Sequence, residues 1–153
     1  MSIFELFIYS AVPFTEQRVT IPLGIIYYDL PPLYITTICF LGALLPAPFI
    51  LLLFSKAYNA ALGIKIFDPL KGFIDRKVRK KSKRFELYKE IALITFVGIP
   101  LPGTGVWTGS VIAALLGLDL KKSMLCIITG NLISAVILLI LSLLFPFVLG
   151  SIG

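Results

Sequence analysis

The chain has 153 residues, 58% of them hydrophobic, with a mean hydropathy of +1.00; soluble domains hold roughly 45–50% apolar residues. It carries a formal charge of +6, two cysteines and no histidine. That composition leaves no material for a Ser–His–Asp set, a Cys–His nucleophile or a zinc site, so neither an enzyme nor a bound cofactor is expected. An all-α integral membrane protein forming one domain is the class that remains.

The first apolar region is divided. Ile3 to Phe14 gives twelve residues with one acid, Glu5; "TEQR" follows; Val19 to Tyr28 adds ten more. The stretch before Phe14 lacks the basic start of a cleavable signal and is read as part of the mature chain. Apolar pieces of about 10–14 residues are typical of re-entrant segments, whereas about 20 are needed to cross the hydrocarbon core. Residues 3–29 are therefore expected to form a helical hairpin that dips into the bilayer and returns. Leu33 to Phe54, 22 residues without charge, is long enough for a full span, placed over 31–55.

Residues 56–90 hold eleven Lys/Arg against four acids. Flanked by membrane segments, so basic a block is expected on the cytoplasmic face against anionic lipid rather than on nucleic acid. Phe67, Leu70, Phe73, Ile74 and Val78 recur at helical spacing between the lysines and arginines, which predicts an amphipathic interfacial helix.

Ile91 to Leu118 repeats the divided pattern. Eleven apolar residues end at Leu101, "PGTG" intervenes, and Val106 to Leu118 gives thirteen. A second hairpin is expected over 91–118, followed by a second span over 121–149. Shifting the chain by 88 residues places Gly42 on Gly130 and Leu44 on Leu132. Each half thus reads as broken hairpin, short polar turn and full span, an inverted-topology repeat whose shared interface near the midplane is where such transporters bind substrate. Four ordinary transmembrane helices, kinked at their prolines, are the competing topology.

The chemistry is expected at the two tips. In "VPFTEQRVTIPLG" the Arg18 guanidinium suits a phosphate or carboxylate, with Glu16 balancing its charge or carrying a proton. Pro13 and Pro22 are expected to end the helices on either side. In "PLPGTGVWTG", Pro100 and Pro102 break the chain, Gly103 and Gly105 let backbone N–H groups converge, and a helix starting near Trp107 aims its positive end at the cavity. Thr104 and Thr108 are expected to add hydroxyl donors, and Asn131 to reach across from the second span. Cys39 and Cys126 are expected as buried free thiols.

These motifs, "PFTEQRVTIPLG" and "GIPLPGTGVWTG" followed by "AALLGL" and "TGN", resemble the small multidrug export family, which is similar to the DedA superfamily of membrane proteins. The resemblance spans about residues 11–144. It implies two opposed re-entrant hairpins and transport of lipid-phosphate carriers such as polyprenyl phosphates, driven by ion gradients. Glu16 and Arg18 match the acid and arginine of the first motif. Where DedA proteins place an arginine after the second Pro-Gly, this chain has Thr104 and Gly105, so a backbone nest at 103–105 stands in for the guanidinium. The expected function is a small secondary exporter in the plasma membrane, working as a homodimer on an anionic or amphipathic substrate. A non-transporting scaffold acting through residues 56–90 is the alternative.

Overall fold

The computed structural model describes residues 3–13, 15–61 and 83–150. The elements among them are all helices: α1 (Ile3–Ala11), α2 (Glu16–Tyr27), α3 (Pro32–Leu44), α4 (Pro46–Ala61), α5 (Lys83–Gly98), α6 (Val106–Leu115) and α7 (Leu120–Gly150). The amphipathic stripe from Phe67 to Val78 lies outside the described residues.

Two stretches are long and apolar enough to cross a membrane: Pro32–Phe54, of 23 residues, and Leu120–Leu144, of 25. The first runs through α3 into α4. Leu45 between them keeps helical dihedrals (φ −54°, ψ −44°) and its N–H bonds the Gly42 carbonyl at 3.2 Å. Pro46 and Pro48 have no N–H to give, which interrupts the regular ladder there without ending the helical path. The second stretch meets no such interruption.

The remaining helices pair around short breaks, α1 with α2 across residues 12–15 and α5 with α6 across 99–105. Two boundaries differ from the sequence expectation. Pro22 lies inside α2 and does not end it; a proline is tolerated in a membrane helix when neighbouring groups re-satisfy the freed carbonyl. And α5 begins at Lys83, so the last part of the basic block is continuous with the apolar residues to Gly98. Its charges find partners: Lys122 Nζ lies 3.0 Å from both Glu86 Oε2 and Glu90 Oε1, and Lys89 Nζ donates to the Leu116 carbonyl at 2.9 Å. A cation on the last carbonyls of α6 is favourably placed against the helix dipole.

The interior forms two apolar clusters. One gathers Leu6 (α1), Ile21 (α2), Ile35 and Cys39 (α3) with Ala135 and Leu138 from the later half of α7. The other gathers Leu93 and Val97 (α5), Val106 and Ala113 (α6), and Cys126 and Ile127 (early α7) with Ala47 and Leu51 of α4. Each cluster thus combines a helix pair, the first half of the following long helix and the second half of the other long helix. Both cysteines are free and buried, one per cluster.

Gly42 and Gly130 mark the same contact in the two halves. A Cβ on Gly42 would collide with the Phe7 carbonyl of α1; one on Gly130 would sit 2.8 Å from the Ile94 carbonyl of α5. In both places a glycine lets a long helix lie directly on the backbone of the first helix of the adjoining pair. Many large apolar side chains face outward, and several polar ones are buried beside the two clusters. Phe49, Leu53, Leu125 and Leu132 are exposed, whereas Ser10, Gln17, Thr20, Ser110, Asn131 and Ser134 are buried. That arrangement is the organisation of a protein solvated by lipid, whose polar groups have no partners outside.

Candidate functional site

The two breaks meet. Arg18, in the first turn of α2, donates from Nη2 to Thr104 Oγ1 at 3.0 Å, and from Nη1 to Glu16 Oε2 at 2.7 Å. Glu16 is only 4% exposed. Its other oxygen, Oε1, accepts the Val106 N–H at 2.6 Å at the start of α6, and the carboxylate also takes the Trp107 N–H. An ion pair buried this far is stable only if its remaining lone pairs and protons are matched as well. Here the N-terminal amides of α6 provide that match, since a carboxylate there faces unsatisfied donors and the positive end of the dipole.

Gly105 makes the approach possible. A Cβ on it would fall onto the Glu16 carboxylate, touching both oxygens. Gly103 serves differently: its φ of +86° turns the chain between Pro102 and Thr104, and no heavy atom lies within 4 Å of where its Cβ would be. Side chains of L-residues rarely adopt that conformation.

Between the two breaks lies a cleft of about 580 Å³ lined by Pro13, Glu16, Arg18, Val19, Pro100, Pro102, Gly103, Gly105, Trp107 and Thr108. A second, apolar groove of about 370 Å³ shares Gly103, Trp107 and Thr108 and runs along Phe96, Val111 and Ile112. The Trp107 indole lines both and anchors α6 to the end of α1, donating from Nε1 to the Ala11 carbonyl at 2.9 Å.

Three expectations are corrected by this geometry. The nest at 103–105 does not present all of its amides: the Thr104 N–H bonds the Leu101 carbonyl at 3.2 Å, and the first amide of α6 beyond it is held by Glu16. The hydroxyls of Thr104 and Thr108 are not spare donors either. Thr104 accepts from Arg18 and lies 2.7 Å from the Ile99 carbonyl, while Thr108 donates to the Gly103 carbonyl at 2.7 Å. Asn131, finally, does not line the cleft. Its side-chain amide donates to the Phe40 carbonyl at 3.4 Å, and its backbone carbonyl accepts from Gln17 Nε2 at 3.0 Å, so it ties α7 to α3 and α2. Pro22 is likewise away from the cleft.

Two features escaped the sequence. Gln17 is buried next to the ion pair, and Ser10 and Thr20 share a 2.7 Å hydrogen bond between α1 and α2. The signal for Ser10 and Thr20 is a polar residue set inside an apolar run; Gln17, within "TEQR", has none of that kind. Among the described residues no group of three His, Cys, Asp or Glu side chains is placed to hold a metal ion.

Residues 16–137 match the profile of the family described as "Putative small multi-drug export protein". The chain belongs to this family. The match begins at Glu16 and extends past Asn131, so it takes in both sides of the cleft. Neither curated proteins nor solved structures give a match to the chain. Family membership and the two apolar helices mark the chain as a membrane protein.

Proposed function

We propose that this chain is a secondary transporter with DedA-like architecture, and that its substrate passes through the cleft between the two helix pairs. Each half is an inverted copy of the other, with α1–α2 and α5–α6 as re-entrant hairpins entering from opposite faces of the plasma membrane. Residues 56–90 lie on the cytoplasmic side against anionic lipid. The substrate is anionic or amphipathic, with polyprenyl phosphates in range and an ion or proton gradient as driving force. Two spans and two hairpins enclose little volume, so the working unit is a homodimer.

Helix length supports the hairpins: α1, α2 and α6 have 9, 12 and 10 residues, well short of the roughly 20 a span needs. The matched clusters and the Gly42/Gly130 contacts support the repeat. A guanidinium beside an apolar groove suits a molecule with a charged head and a greasy tail, the head at Arg18 and the tail along Phe96 and Ile112. The observation that carries the proposal is the Arg18–Thr104 bond, which joins the two tips, 86 positions apart, at a charged group on a cleft.

A transporter's central cleft is reached from each face in turn, and a scaffold's is not. Thr108→Cys, in a chain with Cys39 and Cys126 replaced by alanine, is expected to react with an impermeant thiol reagent applied from either side. Labelling from a single side contradicts the proposal.

A further inference from the structure

Every nitrogen of Arg18 that reaches the tips is already engaged. Nη1 holds Glu16, Nη2 holds Thr104 and approaches the Ile99 carbonyl at 3.5 Å, and only Nε is buried without a partner. The Val106 amide at the mouth of α6 is also taken, by the other Glu16 oxygen. A bidentate oxyanion therefore finds both of the contacts it would use filled by a carboxylate of the protein itself. That carboxylate bridges them as a phosphate or carboxylate ligand would, with one oxygen on the guanidinium and one on a helix N-terminus. The hollow is cut to admit it, since Gly105 leaves no side-chain atom in the way.

We propose that Glu16 is an internal stand-in for the transported anion. It occupies the anion position when no substrate is present, and an incoming phosphate- or carboxylate-bearing molecule binds by displacing it from Arg18 and the α6 N-terminus. The inference rests on the cleft being an anion site. It adds that the empty site is closed by a competing ligand covalently part of the chain. Apparent affinity for any external anion is then reduced by the fraction of molecules in which Glu16 has swung away. Displacement also unties α2 from α6, so binding and the loosening of the two tips become one event.

Trp107 is the single tryptophan of the chain and lines the cleft, so its fluorescence reports on the site. The full-length protein in detergent is titrated with inorganic phosphate. Glu16→Gln keeps the side-chain shape but sets an amide donor against the Arg18 donor, and Glu16→Ala empties the position. Both are expected to bind phosphate about ten- to a hundredfold more tightly than the unaltered protein, the worth of a charge-assisted hydrogen bond removed from the competition. Arg18→Gln added to Glu16→Gln is expected to abolish that binding. Formate is expected to raise the melting temperature of Glu16→Ala saturably and to leave that of the unaltered protein unchanged. If folded Glu16→Gln binds phosphate no more tightly than the unaltered protein, Glu16 is a structural cap and the stand-in is wrong, while the anion site survives. If no form responds to phosphate, the anion site falls and the stand-in falls with it.

Discussion

The Glu16 carboxylate lies in the hollow over Gly105, close enough that a single methyl group on that glycine would strike both of its oxygens. The two residues come from opposite ends of the chain's pattern of breaks. Their contact lets Glu16 reach the Val106 amide at 2.6 Å and hold Arg18 at 2.7 Å.

Gly105→Ala is therefore expected to lower stability by more than Gly103→Ala. At Gly105 the new methyl displaces a buried carboxylate, combining overpacking of about 1–3 kcal/mol with a partly unpaired charge. At Gly103 there is open space, and only the positive φ is penalised, by about 1–2 kcal/mol. Thermal unfolding of the two variants in the same detergent measures the difference. Equal losses would mean that Glu16 leaves the hollow without difficulty.

Gly42→Ala and Gly130→Ala are expected to behave alike. Each would push a methyl into a backbone carbonyl, Phe7 in one half and Ile94 in the other. A loss of about 1–3 kcal/mol is expected for each, because backbone cannot move aside as a flexible side chain can. Melting temperatures test it, and a neutral Gly130→Ala beside a damaging Gly42→Ala would argue against equivalent halves.

These glycines also show how much was legible beforehand. The two long apolar helices stand out as charge-free runs, and the breaks between the paired helices as proline-bearing clusters, because both are set by local sequence. The 88-residue shift paired Gly42 with Gly130, and the contacts give that pairing a physical reason. The rest depended on partners distant in the chain. Residues 83–90 group with the basic block 56–90 in the sequence, because nothing local shows that Lys122 and the Leu116 carbonyl pair with their charges and let them continue a helix. Pro22 looked like a helix end, since its surroundings in α2 cannot be read from its neighbours. Asn131 looked like a ligand group until the Phe40 carbonyl appeared opposite its amide. The apparent nest after Pro102 was read as open for the same reason: nothing near it in sequence announces that Glu16 fills the helix end.

Sided labelling of single cysteines tests the hairpins. Position 4, in the first turn of α1, and position 30, just after α2, are expected to label from the same face. Position 119, beyond the second pair, is expected to label from the opposite one. Labelling of 4 and 30 from different faces would establish four ordinary spans instead.

The most direct test is flux of a long-chain alkyl phosphate into proteoliposomes, comparing the unaltered protein with Arg18→Lys. An ammonium cannot reproduce the planar, two-pronged contact that a guanidinium offers the substrate's phosphate. Losing such a charge-assisted hydrogen bond costs roughly 1.5–3 kcal/mol. Arg18→Lys, with melting behaviour confirming that it is folded, is expected to carry the phosphate about ten- to a hundredfold less well. Folded Arg18→Lys moving it at the unaltered rate would show that the cleft is not the path of an anionic substrate.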